Sequence, residues 1–215
     1  MFLSQMFLSI GTGVIHTLLY TGISFIISFF LSVFIAAYNQ RFNNWLSTFF
    51  KIYVSLFRGT PVIVQLFIVY FALPQVLYIE IPGFLAVIVT LSLNSGAYMV
   101  EILTTGIKSI DKGQFEAATS LGIPPFLMWK DIILKQVLMI SMGNICNEFI
   151  NLLKETAIVS VIGENDILRR ANSIGAQTYS YIEPLLIAAF YYYILVTTLM
   201  QLSRFIERRL RYDSH

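Results

Sequence analysis

Four stretches of this chain contain no charged residue, three of them about as long as a bilayer is thick and the first about twice that. Residues 1–40 have no Lys, Arg, Asp or Glu, and neither do Gly59–Ile79, Ile81–Val100 and Pro184–Ser203. A hydrocarbon core of about 30 Å takes about 20 helical residues to cross. A lone segment in lipid must satisfy its own backbone hydrogen bonds, which makes each run an α-helix. Only 12% of the 215 residues are charged, against about 25% in soluble domains. The chain therefore reads as an all-α, polytopic membrane protein and a single domain over 1–215.

Gln136–Ile162 is a fifth candidate span, apolar but interrupted by Glu148, Lys154 and Glu155. A charge at membrane depth costs roughly 2.5–3.5 kcal/mol on insertion scales and faces a partner or a wet cavity. The segment is therefore expected inside the bundle. The cations orient this five-helix arrangement. With the amino terminus outside, eleven Lys and Arg fall on the inner side: Arg41, Lys51, Arg58, Lys108, Lys112, Lys130, Lys135, Arg204, Arg208, Arg209 and Arg211. Only Arg169 and Arg170 fall outside, with Lys154 in a span, so the carboxy terminus is expected in the cytoplasm. No basic residue precedes the first apolar run, which is read as a retained span and not a cleaved signal.

Several functions have no residues to carry them. Cys146 is the single cysteine, and His16 and His215 lie far apart without ligand spacing, so no metal site is expected. There is no nucleophile constellation and no GxxxxGK[ST] phosphate loop. The net charge of +2 reflects the inner-side bias and does not suggest nucleic acid. At Arg58-Gly59-Thr60-Pro61 the chain is expected to turn into the bilayer, with Thr60 as N-cap, Pro61 at the first helical position and Arg58 at the inner headgroups. Residues 163–183 are polar enough to leave the membrane, and GENDILRRANSIG within them suits a short surface helix.

The segment FEAATSLGIPPFLMWKDIILKQ, residues 115–136, is polar enough to stand out from the rest. Asp111 and Gln114 resemble a helix-capping pattern, Glu116, Ala117 and Ala118 continue the helix, and Gly122 can end it in the left-handed conformation. Pro124 and Pro125 suit the start of a second helix that Trp129, Ile132 and Ile133 would pin against apolar surface. The small side chains at 117 and 118 leave a flat patch beside the Glu116 charge. Inside the bundle, Glu148 and Glu155 are seven residues apart and share one helix face, about 10 Å apart along the axis. Asn94, Ser95 and Tyr98, with Gly96, form a second polar group that either packs helices together or donates hydrogen bonds to a ligand.

The hairpin resembles the cytoplasmic signature of permease subunits in binding-protein-dependent ATP-binding-cassette importers. That signature begins Glu-Ala-Ala and places Gly four residues after the second Ala, as Glu116, Ala117, Ala118 and Gly122 do. The likeness narrows to the polar amino acid branch through LFRGTPVIVQLF at 56–67, NSGAYMVEI at 94–102, IKSIDKGQFEAATSLG at 107–122, NEFINLLKETAIVSVIG at 147–163 and ERRL at 207–210. Two departures stand out: Lys135 occupies a place where the branch commonly has proline, and ILTTGIKS at 102–109 lacks an Arg before paired glycines.

The resemblance implies a type I importer permease fold with five transmembrane helices, in a bacterial cytoplasmic (inner) membrane. It implies a coupling hairpin at 108–135 seated on an ATP-hydrolysing subunit, which would bind ATP and Mg while this chain holds no cofactor and does no catalysis. The other implied partners are an extracytoplasmic amino-acid-binding protein, a second permease subunit of the same or a homologous kind, and membrane lipid. Substrate binding is expected at Glu148 and Glu155, helped by Asn94, Ser95 and Tyr98, with the carboxylates favouring arginine, lysine or histidine. Glutamine, another small solute of the same transporter class, and a passive channel remain as alternatives.

Overall fold

A computed structural model of the protein describes residues 2–212, with side chains described for 3–209; His215 lies outside them. Every regular element among the described residues is helical. Helices α1 (Phe2–Gly11) and α2 (Gly13–Arg41) run on as one long rod. Next comes α3 (Trp45–Gly59), then α4 (Val62–Phe67), which continues through a π-helical turn (Ile68–Ala72) into α5 (Leu73–Leu77). Helix α6 (Gly83–Lys108) leads into a hairpin of α7 (Lys112–Ser120) and α8 (Pro125–Leu127). The second limb winds through a π-helical stretch (Met128–Ile133) into α9 (Leu134–Glu155), and a 3-10 segment (Thr156–Ile162) extends it. Helices α10 (Ile167–Thr178) and α11 (Ile182–Tyr212) complete the chain.

Three helices are long and apolar enough to cross a membrane: Leu3–Arg41, Gly83–Lys108 and Ile182–Arg209. A fourth crossing is available from Trp45–Gly59 and Val62–Leu77 taken together, although that pair bends by 110°. Helix α9 carries Glu148, Lys154 and Glu155 and is not among the long apolar helices. Where proline was expected, Lys135 lies in the first turn of α9, and the irregularity sits just before it in the π-helical stretch.

Helix α6 is the centre of the bundle. Two thirds of its apolar window is buried within the chain, against 11% for α11, which lies at the periphery. Helix α2 meets α6 along a seam of small polar residues, Thr17, Thr21, Ser24, Ser28 and Ser32, all with no exposed surface. The spacing of three to four residues keeps them on one face. Thr21 donates to the Thr17 carbonyl at 2.7 Å, Ser28 to the Ser24 carbonyl at 2.8 Å and Ser32 to the Phe29 carbonyl at 2.8 Å. These three hydroxyls, bonded back into their own helix, bring no unpaired donor to the contact, and the small size of all five side chains lets the backbones approach.

The break between α3 and α4 is closed by side chains. Thr60 was expected to cap α4; instead its hydroxyl donates to the Leu56 carbonyl at 2.8 Å and closes α3, and Pro61 takes the N-cap position. The Gln65 amide donates to the Phe57 carbonyl at 2.9 Å and to the Thr60 carbonyl and hydroxyl at 3.1 and 2.9 Å. Asn94 of α6 donates to Gln65 Oε1 at 3.0 Å and to the Phe57 carbonyl at 3.3 Å. The carbonyls freed by the bend are thereby taken up by two buried amides. Arg58 pairs with Glu101 at 3.1 Å and lies over the Tyr98 ring at 5.6 Å.

At the end of the bundle away from the hairpin, the turn before α10 is tied to three helices. Tyr20 of α2 donates to Glu164 at 2.7 Å, and Tyr192 of α11 donates to Asp166 at 3.0 Å. Asp166 also caps α10 by accepting from the Arg169 amide at 2.6 Å. Burial pushes the Asp166 carboxyl above the usual carboxylate range, against those hydrogen bonds, which favour its charged form. Helix α10, expected at the surface, is sunk on one side: Ile167 and Ala171 are fully buried with Met6, Ile10, Ile187 and Ala188.

The elbow makes a stability prediction. Gln65→Leu removes the side-chain donor to the Thr60 carbonyl, one of the two donors to the Phe57 carbonyl and one of the two acceptors of the Asn94 amide, at roughly 1–3 kcal/mol for each buried group left unpaired. The thermal midpoint of the detergent-purified protein is expected to fall, and an unchanged midpoint would show that the elbow does not depend on this amide.

Candidate translocation and coupling sites

Three consecutive residues near the middle of α6 each face a different neighbour. Asn94 commits both amide hydrogens to the α3–α4 elbow. Ser95 donates to Glu148 Oε1 of α9 at 2.7 Å. Gly96 abuts α2 and α3, so that a Cβ there would stand 3.0 Å from the Tyr53 hydroxyl and 3.3 Å from Leu31. The Tyr53 hydroxyl in turn donates to the Leu93 carbonyl at 2.6 Å. Asn94, Ser95 and Tyr98, grouped by the sequence, are therefore divided by the fold among an elbow, a buried carboxylate and an ion pair.

Glu148 is 7% exposed, and Ser95 is its hydrogen-bond partner across the α6–α9 contact. Among the described residues the one ion pair is Arg58 with Glu101, so no Lys or Arg lies within 4.0 Å of Glu148 or Glu155. Both carboxylates are on the unbroken α9, seven residues apart, and share its face. Lys154 is exposed and makes no ion pair within 4.0 Å with either carboxylate. What the bundle offers at this level is a serine-bound carboxylate without a cation of its own, suited to receive one.

A second polar strip runs along α6 toward the hairpin. Tyr98, Glu101, Thr105 and Lys108 recur every three or four residues and are all exposed, on a helix otherwise largely covered. Asn39, Lys51 and Arg58 of α2 and α3 line the same open cleft as Glu101 and Lys108. Gln65, Arg58 and Glu101 were not identified as site residues from the sequence. The signal for the last two was the presence of charge beside long uncharged runs, and Gln65 gave none.

The hairpin is built by local bonds. Asp111 caps α7 by accepting from the Gly113 amide at 2.7 Å, while Gln114 contributes its backbone N–H to the Asp111 carbonyl at 3.1 Å. At the far end Gly122 adopts φ +67°, a left-handed conformation that a side chain disfavours. There the Ile123 amide bonds the Ala118 carbonyl at 3.1 Å and the Gly122 amide bonds the Thr119 carbonyl at 3.0 Å. Ile133 is fully buried, with Trp129 and Ile132 packed against its cluster, and the Trp129 and Phe115 rings meet edge to face at 6.4 Å. Glu116 and Ala117 are exposed, but Ala118 is 3% exposed. The two alanines therefore do different work: Ala118 seats α7 on its own chain, and Ala117 lies open beside Glu116.

Comparison with known proteins identifies the family. Residues 28–212 match the family described as "Binding-protein-dependent transport system inner membrane component". Over 167 residues, 78% of this chain and 75% of the relative, the sequence is 51% identical to the arginine transport system permease protein ArtQ of Bacillus subtilis (strain 168). Over 198 residues, 92% of this chain and 91% of the relative, it is 44% identical to a protein of Rickettsia typhi (strain ATCC VR-144 / Wilmington) named "Putative glutamine transport system permease protein GlnP". The fold superposes on a crystal structure of an amino acid ABC transporter with histidines at a TM-score of 0.84 and 36% identity, covering 96% of this chain and 94% of that one. It shares the fold of an inward-facing MetNI methionine ABC transporter chain at a TM-score of 0.80 and 20% identity, covering 94% and 96%. The chain belongs to the family of binding-protein-dependent transport system inner membrane components, as the permease subunit of an amino acid ABC transporter.

Proposed function

We propose that this permease moves basic amino acids, arginine, lysine or histidine, inward across the cytoplasmic membrane, with Glu148 as the group that holds the substrate's cation. The observation that carries this reading is the buried Glu148 carboxylate, held by Ser95 at 2.7 Å and without a cation of its own among the described residues. An unpaired carboxylate at membrane depth is costly, and a cationic side chain arriving from the path offsets that cost. Glu155 on the same face is the next station for the charge, and Tyr98 contributes from the polar strip of α6. The identity with ArtQ favours a basic substrate; a second reading, glutamine, is favoured by the identity with GlnP.

In the mechanism that follows, the amino terminus is outside and the carboxy terminus is in the cytoplasm. Two permeases, of this chain or of a homologue, enclose the path, and an external binding protein delivers the amino acid. ATP and Mg2+ are held by a separate hydrolysing subunit. Its groove receives Glu116 and the open face around Ala117, and Gly122 sets the angle at which the stroke enters the second limb. Packing of Trp129 and Ile133 passes the motion to α9, which carries Glu148.

Two outcomes follow. Glu148→Gln keeps an acceptor for Ser95 and removes the charge, which is worth about 1.5–3 kcal/mol to a hydrogen-bonded cation. Arginine uptake into vesicles holding the assembled transporter is therefore expected to fall about ten- to hundredfold, and unaltered uptake would refute the role of Glu148. Gly122→Val strains the left-handed turn by about 1–3 kcal/mol. This variant is expected to assemble and hydrolyse ATP with little uptake; uptake and hydrolysis in wild-type proportion would remove Gly122 from the coupling path.

A further inference from the structure

Where α2 ends, an open slot of about 360 Å3 separates it from the second limb of the hairpin. Its walls are apolar and largely aromatic, with Phe34 and Phe42 on one side and Phe126 and Trp129 on the other, and two cations, Arg41 and Lys130, also line it. Of these groups the mechanism proposed above uses Trp129 alone, through its packing on the Ile133 side; the others belong to neither the substrate path nor the ATPase contact. Phe34 and Phe126 are 58% and 70% exposed, far more than a packed seam between two elements would leave.

We propose that this slot holds an acyl chain of one anionic phospholipid, whose phosphate rests on Arg41 and Lys130. The depth fits: Arg41 is the first charge of the chain, and the cost of burying a charge in hydrocarbon puts it at or beyond the hydrocarbon edge. Phe34 lies two helical turns before it, about 10 Å deeper. The charges fit as well. No acidic residue lines the slot, and neither cation has a carboxylate within 4.0 Å, Asp131 beside Lys130 included. The Arg41 guanidinium lies over the Phe42 ring at 5.4 Å, which holds it at the mouth, where a headgroup phosphate would sit. An apolar slot capped by two unpaired cations complements a tail joined to a phosphate, and a soluble anion would leave the aromatic walls wet. A lipid seated there bridges α2 and the limb that carries Trp129, so the rigidity of the coupling hairpin depends on the leaflet around it. The inference rests on the membrane reading of the uncharged runs and is independent of the substrate.

The test uses the intact transporter, with its ATPase, in nanodiscs containing either brominated phosphatidylglycerol or brominated phosphatidylcholine at equal mole fraction. Fluorescence lost relative to a Trp129→Phe transporter reports quenching at Trp129 alone. Several-fold stronger quenching by the glycerol lipid is expected, weakening with ionic strength and disappearing in Arg41→Gln/Lys130→Gln. Equal quenching by the two lipids overturns the proposal, and so does a preference that survives the double substitution. Absence of quenching by either lipid overturns it too, because protein then covers the slot. Relief of quenching by inorganic phosphate would assign the cations to a soluble anion, with the same result. If the double variant does not assemble, the lipid preference and the phosphate arm of the unaltered transporter still decide the matter.

Discussion

Everything in this bundle answers to one constraint: inside hydrocarbon, a polar group must find its partner within the protein. Helices satisfy it for most of the backbone, and the difficulty concentrates where a helix breaks. The 110° bend between Gly59 and Val62 frees carbonyls that water would otherwise solvate. Gln65 and Asn94 supply the replacement donors, one from the new helix and one from α6. A broken span is thus affordable only because α6 passes beside it. The same constraint explains why Thr21, Ser28 and Ser32 on the α2 face bond their hydroxyls back into their own helix.

Concentrating the polar bonds on α6 has a mechanical consequence. Asn94, Ser95 and Gly96 fasten the elbow, α9 and α2 to one short length of helix. A displacement of α9 driven from the hairpin therefore acts directly on the Ser95–Glu148 bond, and the elbow lies one residue away. Packed helices shift between discrete arrangements and do not deform smoothly. The coupling proposed between the hairpin and the carboxylate consequently needs no long pathway, because α9 itself begins at the hairpin and bears Glu148.

What the sequence made legible follows from the range of each signal. Uncharged runs reveal spans because the cost of charge in lipid is large and local, and α2, α6 and α11 were readable in this way. Gly122 was readable because the left-handed conformation leaves few alternatives. Thr60 was misassigned because a threonine at a helix junction can close the helix before it or cap the one after it; the choice is made by Gln65, whose amide reaches back to Thr60. The pairing of Ala117 with Ala118 suggested one flat patch, yet a helix turns by about 100° per residue, which sends only one of them inward. Within an uncharged run hydropathy does not say which face is covered, so the division of labour among Asn94, Ser95 and Gly96 had no one-dimensional trace.

The exposed strip Tyr98, Glu101, Thr105 and Lys108 bears on what the chain needs around it. Glu101 is seven residues from the hairpin end of α6, roughly 10 Å into the helix, and its pairing with Arg58 leaves their side chains 49% and 40% exposed. Lipid tails cannot solvate the open sides of that pair, and at such depth charged groups turn to water or to protein. Helix α11 presents the opposite surface, with Leu186, Phe190, Ile194 and Leu202 all exposed and apolar, which hydrocarbon accepts without cost. The two faces therefore require different surroundings: the α11 side suits lipid, and the α6 strip suits water or the polar surface of protein. In the mechanism proposed above, where two permeases enclose the path, the charged strip is the face that the second one would cover.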